Sequence, residues 1–203
     1  MTSELYIIPI VEGHGEVEAV PELLRRIGGA LDPPVFPNVL SPLRVPRSTL
    51  LRQGELERRV KLAANKVGED GRILIIIDAD DDCPAILGPK LLQRAQGARP
   101  DRQISVVLAK SEFESWFLAG ASGLAGRRGL APELTPPSDP EATRDAKGWL
   151  KARMENRTHK ETRDQAAMAS KFDMAEARQP GTPHYSDSFD KLWRELEILL
   201  RDV

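Results

Sequence analysis

Three short stretches of this chain end apolar runs with carboxylates. In "IVEGHGEV", Glu12 directly follows an Ile/Val run and Glu16 comes four residues later, where helical spacing begins. In "ILIIIDADDDCP", Asp78, Asp80 and Asp82 stand at i, i+2 and i+4 after five apolar residues. In "LAKSEFESWF", Glu112 and Glu114 follow a further apolar run. Acids at the ends of buried strands are costly to desolvate, so each calls for a compensating partner. If the chain stays extended beyond Asp78, its alternate side chains share one face. Oxygen ligands without His or Cys suit Mg²⁺ or Mn²⁺, with water completing the shell. Without a cation, so many like charges push pKa values upward.

The elements around these acids are legible from periodicity. "ELYIIPIVEG" reads as a buried, parallel-type strand. "EVEAVPELLRRIGGAL" carries Val17, Val20, Leu24 and Ile27 at helical spacing, with Pro21 either in a first turn or at a break. "FPNVLSPLRVP" is Pro-punctuated and reads as a weak or edge strand. "GELERRVKLAANKVGEDG" is an amphipathic helix ending near Gly68, and "GRILIIIDADDD" is the strongest strand. A helix over "AILGPKLLQRAQ" and a strand over "QISVVLAK" follow. The alternation predicts a doubly wound, mainly parallel four-stranded sheet over residues 1–119. Parallel strands end on one edge, so right-handed crossovers carry Glu12 and the Asp cluster to a common crevice. Residues 120–203 read as a mostly helical extension packed on that domain. It closes with Phe189, Leu192, Trp193, Leu196 and Leu199 on one stripe behind a Ser or Asp cap.

Composition excludes several classes. With 203 residues, a net charge of −2 and 40% hydrophobic residues, the chain is an ordinary globular one, without global basicity to attract nucleic acid. One cysteine, Cys83, rules out an internal disulfide and a cysteine-rich zinc site; it is expected to pack as a small apolar residue. No basic leader and no bilayer-length apolar segment stand in the sequence, so a cytoplasmic protein without membrane contact is expected. Other motifs fit less well. "GHGEVE" lacks the third glycine of a dinucleotide loop, and its acids would repel a pyrophosphate. No phosphate-binding G-x-x-x-x-G-K-[ST] accompanies "ILIIIDADD", and Asp81-Asp82 stand where a haloacid-type phosphatase has Thr. A single acid, Asp81 or Asp82, could instead cap the helix at Pro84.

The pair "VEGHGE" and "IDADDD", in this order on this scaffold, resembles the Toprim domain of topoisomerases, primases and related nucleases, over roughly residues 4–115. "DADDDCP", "KSEFESWFLAG", "DAKGWL" and the terminal "SF" helix resemble an uncharacterised bacterial Toprim-like family, often encoded beside ATPases and suspected in phage defence. The resemblance implies a metal-dependent phosphodiesterase, with Glu12 as general acid/base or metal-linked glutamate and Asp78 and Asp80 as Mg²⁺ (or Mn²⁺) ligands. Glu16 and Asp82 fall where Toprim branches vary. No topoisomerase tyrosine or primase zinc module is present, which leaves phosphodiester hydrolysis. A non-catalytic sensor or binding subunit of an ATPase complex is the competing reading.

Further candidates come from the second half. Glu114 could add a metal ligand, or be a capping or solvated glutamate. His14 is either a phosphate contact or a plain loop residue. Between Arg127 and Arg163 nine Lys/Arg face six Asp/Glu, a local charge of +3. Lys147, Lys151 and Arg153, then Lys160 and Arg163, could hold a nucleic-acid phosphate, and Trp149 either stacks on a base or packs inward. The expected site is therefore Glu12, Glu16, Lys147 and Lys160 for catalysis, and Glu12, Asp78, Asp80, Asp82 and Glu114 around the metal. The expected partners are nucleic acid, an ATPase and other copies of the chain.

Overall fold

The computed structural model describes residues 5–154 and 161–201, and for 161–163 the backbone alone. Strand β1 (Tyr6–Val11) leads into α1 (Glu16–Gly29), then two short strands, β2 (Asn38–Val39) and β3 (Leu43–Arg44). Helices α2 (Arg47–Leu50) and α3 (Glu55–Val67) precede β4 (Arg72–Asp78), α4 (Pro84–Ala98) and β5 (Ile104–Ala109). The second half holds α5 (Ser115–Ala119), α6 (Ala146–Ala152), α7 (Glu161–Ala169), α8 (Met174–Ala177) and α9 (Asp187–Arg201). Every strand pair is parallel, in the order β2-β1-β4-β5, with β3 also on β1. The expected parallel α/β sheet is present, with five strands instead of four because the edge is split.

Pro9 explains the split. Carbonyls of Leu5, Ile7 and Val11 accept bonds from the edge segment, at Asn38, Leu40 and Val45. Position 9 faces the same way, but proline has no N–H to offer. The edge strand therefore pairs before it, at Ile7↔Val39, and after it, at Ile10↔Leu43. The Pro-punctuated edge and the central strand's own proline are one feature.

Alternation along the strands sorts the core into two layers. Ile7, Val11, Leu74, Ile76 and Val107 point to one side, with α1, α5, α7 and α9. Ile8, Ile10, Ile73, Ile75 and Leu108 point to the other, with α3 and α4. Helix α1 runs through Pro21 and buries Val20, Leu23, Leu24 and Ile27. At its end a Cβ on Gly28 would meet the Val35 carbonyl oxygen at 2.2 Å, so only glycine lets the chain turn back this closely. Among the described residues no helix is long and apolar enough to cross a membrane.

The second half is built into the first layer. Trp116, Phe117, Phe172 and Phe189 are fully buried, with edge-on ring contacts from Phe113 to Phe117 and on to Phe172 and Phe189. A buried carboxylate, Glu141, ties the long connection to α9. It accepts the Ser186 hydroxyl at 2.7 Å, the Ser188 N–H at 2.9 Å and the Ser188 hydroxyl. Ser188 Oγ in turn accepts from Trp116 Nε1 (2.8 Å) and the Lys110 N–H (3.1 Å), and Ser186 Oγ accepts the Phe189 N–H as the α9 cap. Negative charge at a helix N-terminus is favourable, and here it also satisfies donors that water cannot reach. Glu141→Ala should cost about 2–4 kcal/mol in urea unfolding, and Glu141→Gln less, because an amide oxygen can still accept from Ser188.

Candidate functional site

Glu12 is the first residue after β1, and Asp78 is the last of β4. The chain leaves β1 toward the β2 side and returns to β4 on the other, so the gap between their carboxyl ends is the topological switch point. In open α/β sheets that is where ligands bind. The segment after β5 is drawn in as well. Asp80 N–H bonds the Ser111 carbonyl at 3.1 Å, and the Phe113 N–H donates to Asp78 Oδ1 at 2.7 Å. The next residue, Glu114, is 1% exposed and faces the same crevice.

Glu16 shapes the loop before it. Its two carboxylate oxygens accept the N–H groups of Glu12 (3.0 Å) and Gly13 (3.2 Å), which fixes the turn carrying Glu12. Glu16 is 4% exposed, and burial first, then the charges of Glu12 and Glu114, push its pKa up to about 7. Asp78 is raised well above the usual aspartate range by burial and by Glu16, Glu114 and Glu12, against the opposing Phe113 N–H. Burial and Asp80 raise Glu12, while backbone groups of Asp78 and Arg47 pull it down. Glu114 is raised by burial and partly relieved by Lys147 (Nζ at 3.5 Å) and the Gln165 side-chain amide, which donates to it. Four desolvated carboxylates at one strand edge thus interact with one another.

Asp80 and Asp82 behave differently from the expected shared face. The strand stops at Asp78, and Asp80 has a φ of +50°, so the chain turns instead of extending. Arg47, at the start of α2, enforces the turn. Its Nε donates to the Asp78 carbonyl at 2.9 Å and Nη2 to the Ala79 carbonyl at 3.3 Å. Nη1 lies 3.4 Å from Asp80 Oδ2, and Nη2 also donates to the Asp82 carboxylate. Both aspartates stay more than half exposed at the mouth, where Arg144 meets Asp81 at 3.0 Å. Neither Asp81 nor Asp82 caps α4, whose N-cap is Cys83 without a side-chain bond, and Cys83 is exposed instead of packed. His14 is an exposed loop residue.

Glu12, Glu16, Asp78 and Glu114 are therefore brought together, Asp80 and Asp82 sit outside them on Arg47, and Lys147 pairs with Glu114. Lys160 lies outside the described residues. Trp149 packs against the core with the Arg153 guanidinium over its ring at 3.7 Å. Arg47, Gln165 and Glu141 escaped the sequence reading; the only signal for Arg47 was a cation just past the strand that flanks β1. As placed, no three His, Cys, Asp or Glu side chains among the described residues could share a metal ion. The donor set nonetheless suits a hard cation. Every acid offers oxygen, and Glu12 Oε2 is buried without a hydrogen-bond partner.

The raised carboxyls make stability depend on pH in a defined direction. Between the ordinary glutamate value of 4.5 and about 7, folded Glu16 holds more proton than unfolded Glu16. Stability therefore falls as pH rises through that window and returns on acidification, by up to about 3 kcal/mol from Glu16 alone. Asp78, Glu12 and Glu114 act with the same sign. Urea midpoints should drop between about pH 5 and pH 7.5. Asp78→Asn should flatten the slope and stabilise the neutral-pH protein, as should millimolar Mg²⁺ on the wild type.

No curated protein and no solved structure matches the chain. A family model does, over residues 11–197, a span that takes in every acid of the crevice and the helices of the second half. The chain belongs to the family described as a domain of unknown function, DUF4276.

Proposed function

We propose that this protein is a Mg²⁺- or Mn²⁺-dependent nuclease that hydrolyses nucleic-acid phosphodiesters. The observation that carries the reading is the group of four mutually repelling carboxylates at the switch point, Glu16 and Glu114 buried and Glu12 and Asp78 partly so, with one orphaned oxygen on Glu12. Such a group is unfavourable by itself and becomes favourable around a dication. The likeness of "VEGHGE" and "IDADDD" to Toprim motifs supports the same reading. That likeness also suggests a cytoplasmic protein working beside an ATPase, in phage defence.

Asp78, with Glu12 and Asp80, would hold the ion; Glu114 lies close to Asp78, and Asp82 stays on Arg47 at the mouth. When bound, it would stabilise charge developing on the scissile phosphate as a Lewis acid. The rest of the mechanism belongs to the side chains. Glu12, whose pKa is raised by burial and by Asp80, suits proton transfer to or from the attacking or leaving oxygen. Glu16 holds the Glu12 loop through its two N–H bonds. Lys147, 40% exposed and 3.5 Å from Glu114, can present its ammonium to a phosphate at the crevice mouth. Arg47 keeps Asp80 turned toward the opening.

A second reading draws on that same Arg47. With Asp80 and Asp82 already neutralised by a guanidinium, the crevice could serve a non-catalytic binding subunit that needs no ion. Incubation of plasmid, single-stranded DNA and tRNA with Mg²⁺, Mn²⁺ or EDTA separates the two. The nuclease reading expects metal-dependent cleavage, reduced about 10²–10⁴-fold in Glu12→Gln with Mn²⁺ binding retained. Mn²⁺ binding by calorimetry should be lost in Asp78→Ala. Absence of cleavage by the wild type with either metal would decide for the binding subunit.

A further inference from the structure

We infer that the groove beside α1 and α7 is a track for single-stranded nucleic acid leading to the acid crevice, a proposal that rests on the nuclease reading above. Helices α1 and α7 pack side by side. Both touch the crevice: Glu16 opens α1, and Gln165, midway along α7, reaches Glu114. Ala166, Ala167 and Ser170, beyond Gln165, line a cavity of about 490 Å³, which also touches Glu18 on the first turn of α1. A second cavity of about 500 Å³ continues it toward Arg26 and Trp193, and the two share Arg127 and Lys171 as a common wall. From Glu18 to Arg26 the helix rises about 12 Å, so the groove runs away from the crevice along the helix axis.

The lining has two chemistries. Leu124, Leu130 and Met168 close its base but are core residues with almost no exposed surface, so the apolar contact lies at the far end of the groove. Arg127, Arg128 and Lys171 are exposed on the rim and form no ion pair with an acid among the described residues. Arg127 spends only its Nε, on the Gly123 carbonyl at 3.1 Å, which leaves its terminal N–H groups outward. Arg26 belongs to the wall, since its guanidinium is bonded to the carbonyls of Ala169 and Phe172. At the far end the Arg178 guanidinium lies over the Trp193 ring at 4.1 Å, an arrangement whose outer face a base can continue. In a chain of net charge −2, three unpaired cations along one groove point to a polyanion. A duplex would meet the cations with phosphate and leave the Arg178–Trp193 stack without a base. A single strand meets the rim with phosphate and the Arg178–Trp193 stack with an unpaired base.

The test uses the full chain in EDTA, with fluorescein-labelled single-stranded and duplex oligonucleotides of equal length, followed by anisotropy across a salt series. The wild type should bind the single strand at least about tenfold more tightly than the duplex. Arg127→Glu/Lys171→Glu, and more mildly Arg127→Gln/Lys171→Gln, should weaken binding and reduce the salt slope by about 1.4. Melting temperature and Mn²⁺ binding should stay unchanged. Unaltered binding in these variants, or equal affinity for the duplex, overturns the track even if cleavage is observed. Single-strand binding that depends on Arg127 and Lys171, without cleavage under any metal, keeps the track and removes the nuclease reading. A wild type that binds neither oligonucleotide overturns the track, and the nuclease reading is then decided by the cleavage assay with Mg²⁺ or Mn²⁺.

Discussion

The carboxylate of Asp78, desolvated at the end of the central strand pair, is the constraint to which the rest of the molecule responds. An isolated charge at that depth is too expensive to keep, so it must share a proton, a donor or a cation. The fold supplies one donor, the Phe113 N–H, by folding the segment after β5 over the strand end. It supplies no full counter-charge to Asp78 itself: Arg47 takes the Asp78 carbonyl and reserves its charge for Asp80 and Asp82. The inner acids are thus left in a state that a dication would complete, while the outer ones are provided for. A layout that separates neutralised from un-neutralised acids within a few residues is harder to explain as surface chemistry than as a site.

Each crevice acid also has a local task. Glu16 organises the loop that carries Glu12, and Glu114 receives Gln165 and Lys147 from the second half. The helical extension therefore forms a wall of the crevice as well as a cover for the sheet. Glu141 performs the comparable task on the far side of Ser111, whose hydroxyl donates to the Glu141 carbonyl at 2.9 Å. The loop that turns at Asp80 and bonds Ser111 is in this way coupled to the start of α9.

Much of this was legible in the sequence, because the strands are uninterrupted apolar runs and the helices keep a clean 3.6-residue period. β1, β4, β5, α1, α3, α4 and α9 all fall where periodicity put them. Convergence of Glu12 and Asp78 followed from parallel strands alone. The failures lie where a distant residue decides a local conformation. An extended chain through Asp82 was a fair reading of "DADDD", but Arg47, thirty-one residues earlier than Asp78, and the Ser111 carbonyl hold Asp80 at positive φ. Propensity could not reveal the cap of α4 either, since the nearby aspartates were already engaged by Arg47 and Arg144. The Pro-rich edge was recognised, yet its split required knowing which face of Pro9 it would meet.

The placement of α9 has a bearing on the order of synthesis. Its residues pack on β5 and α1, Arg201 reaches the Asp32 carbonyl at 2.6 Å, and Ser188 near its start satisfies Lys110 and Trp116. Until this helix has been made, the β5 side of that layer and the outer flank of α1 stay open to water. A nascent chain already long enough to contain all the acids would still leave this face of β5 and α1 uncovered.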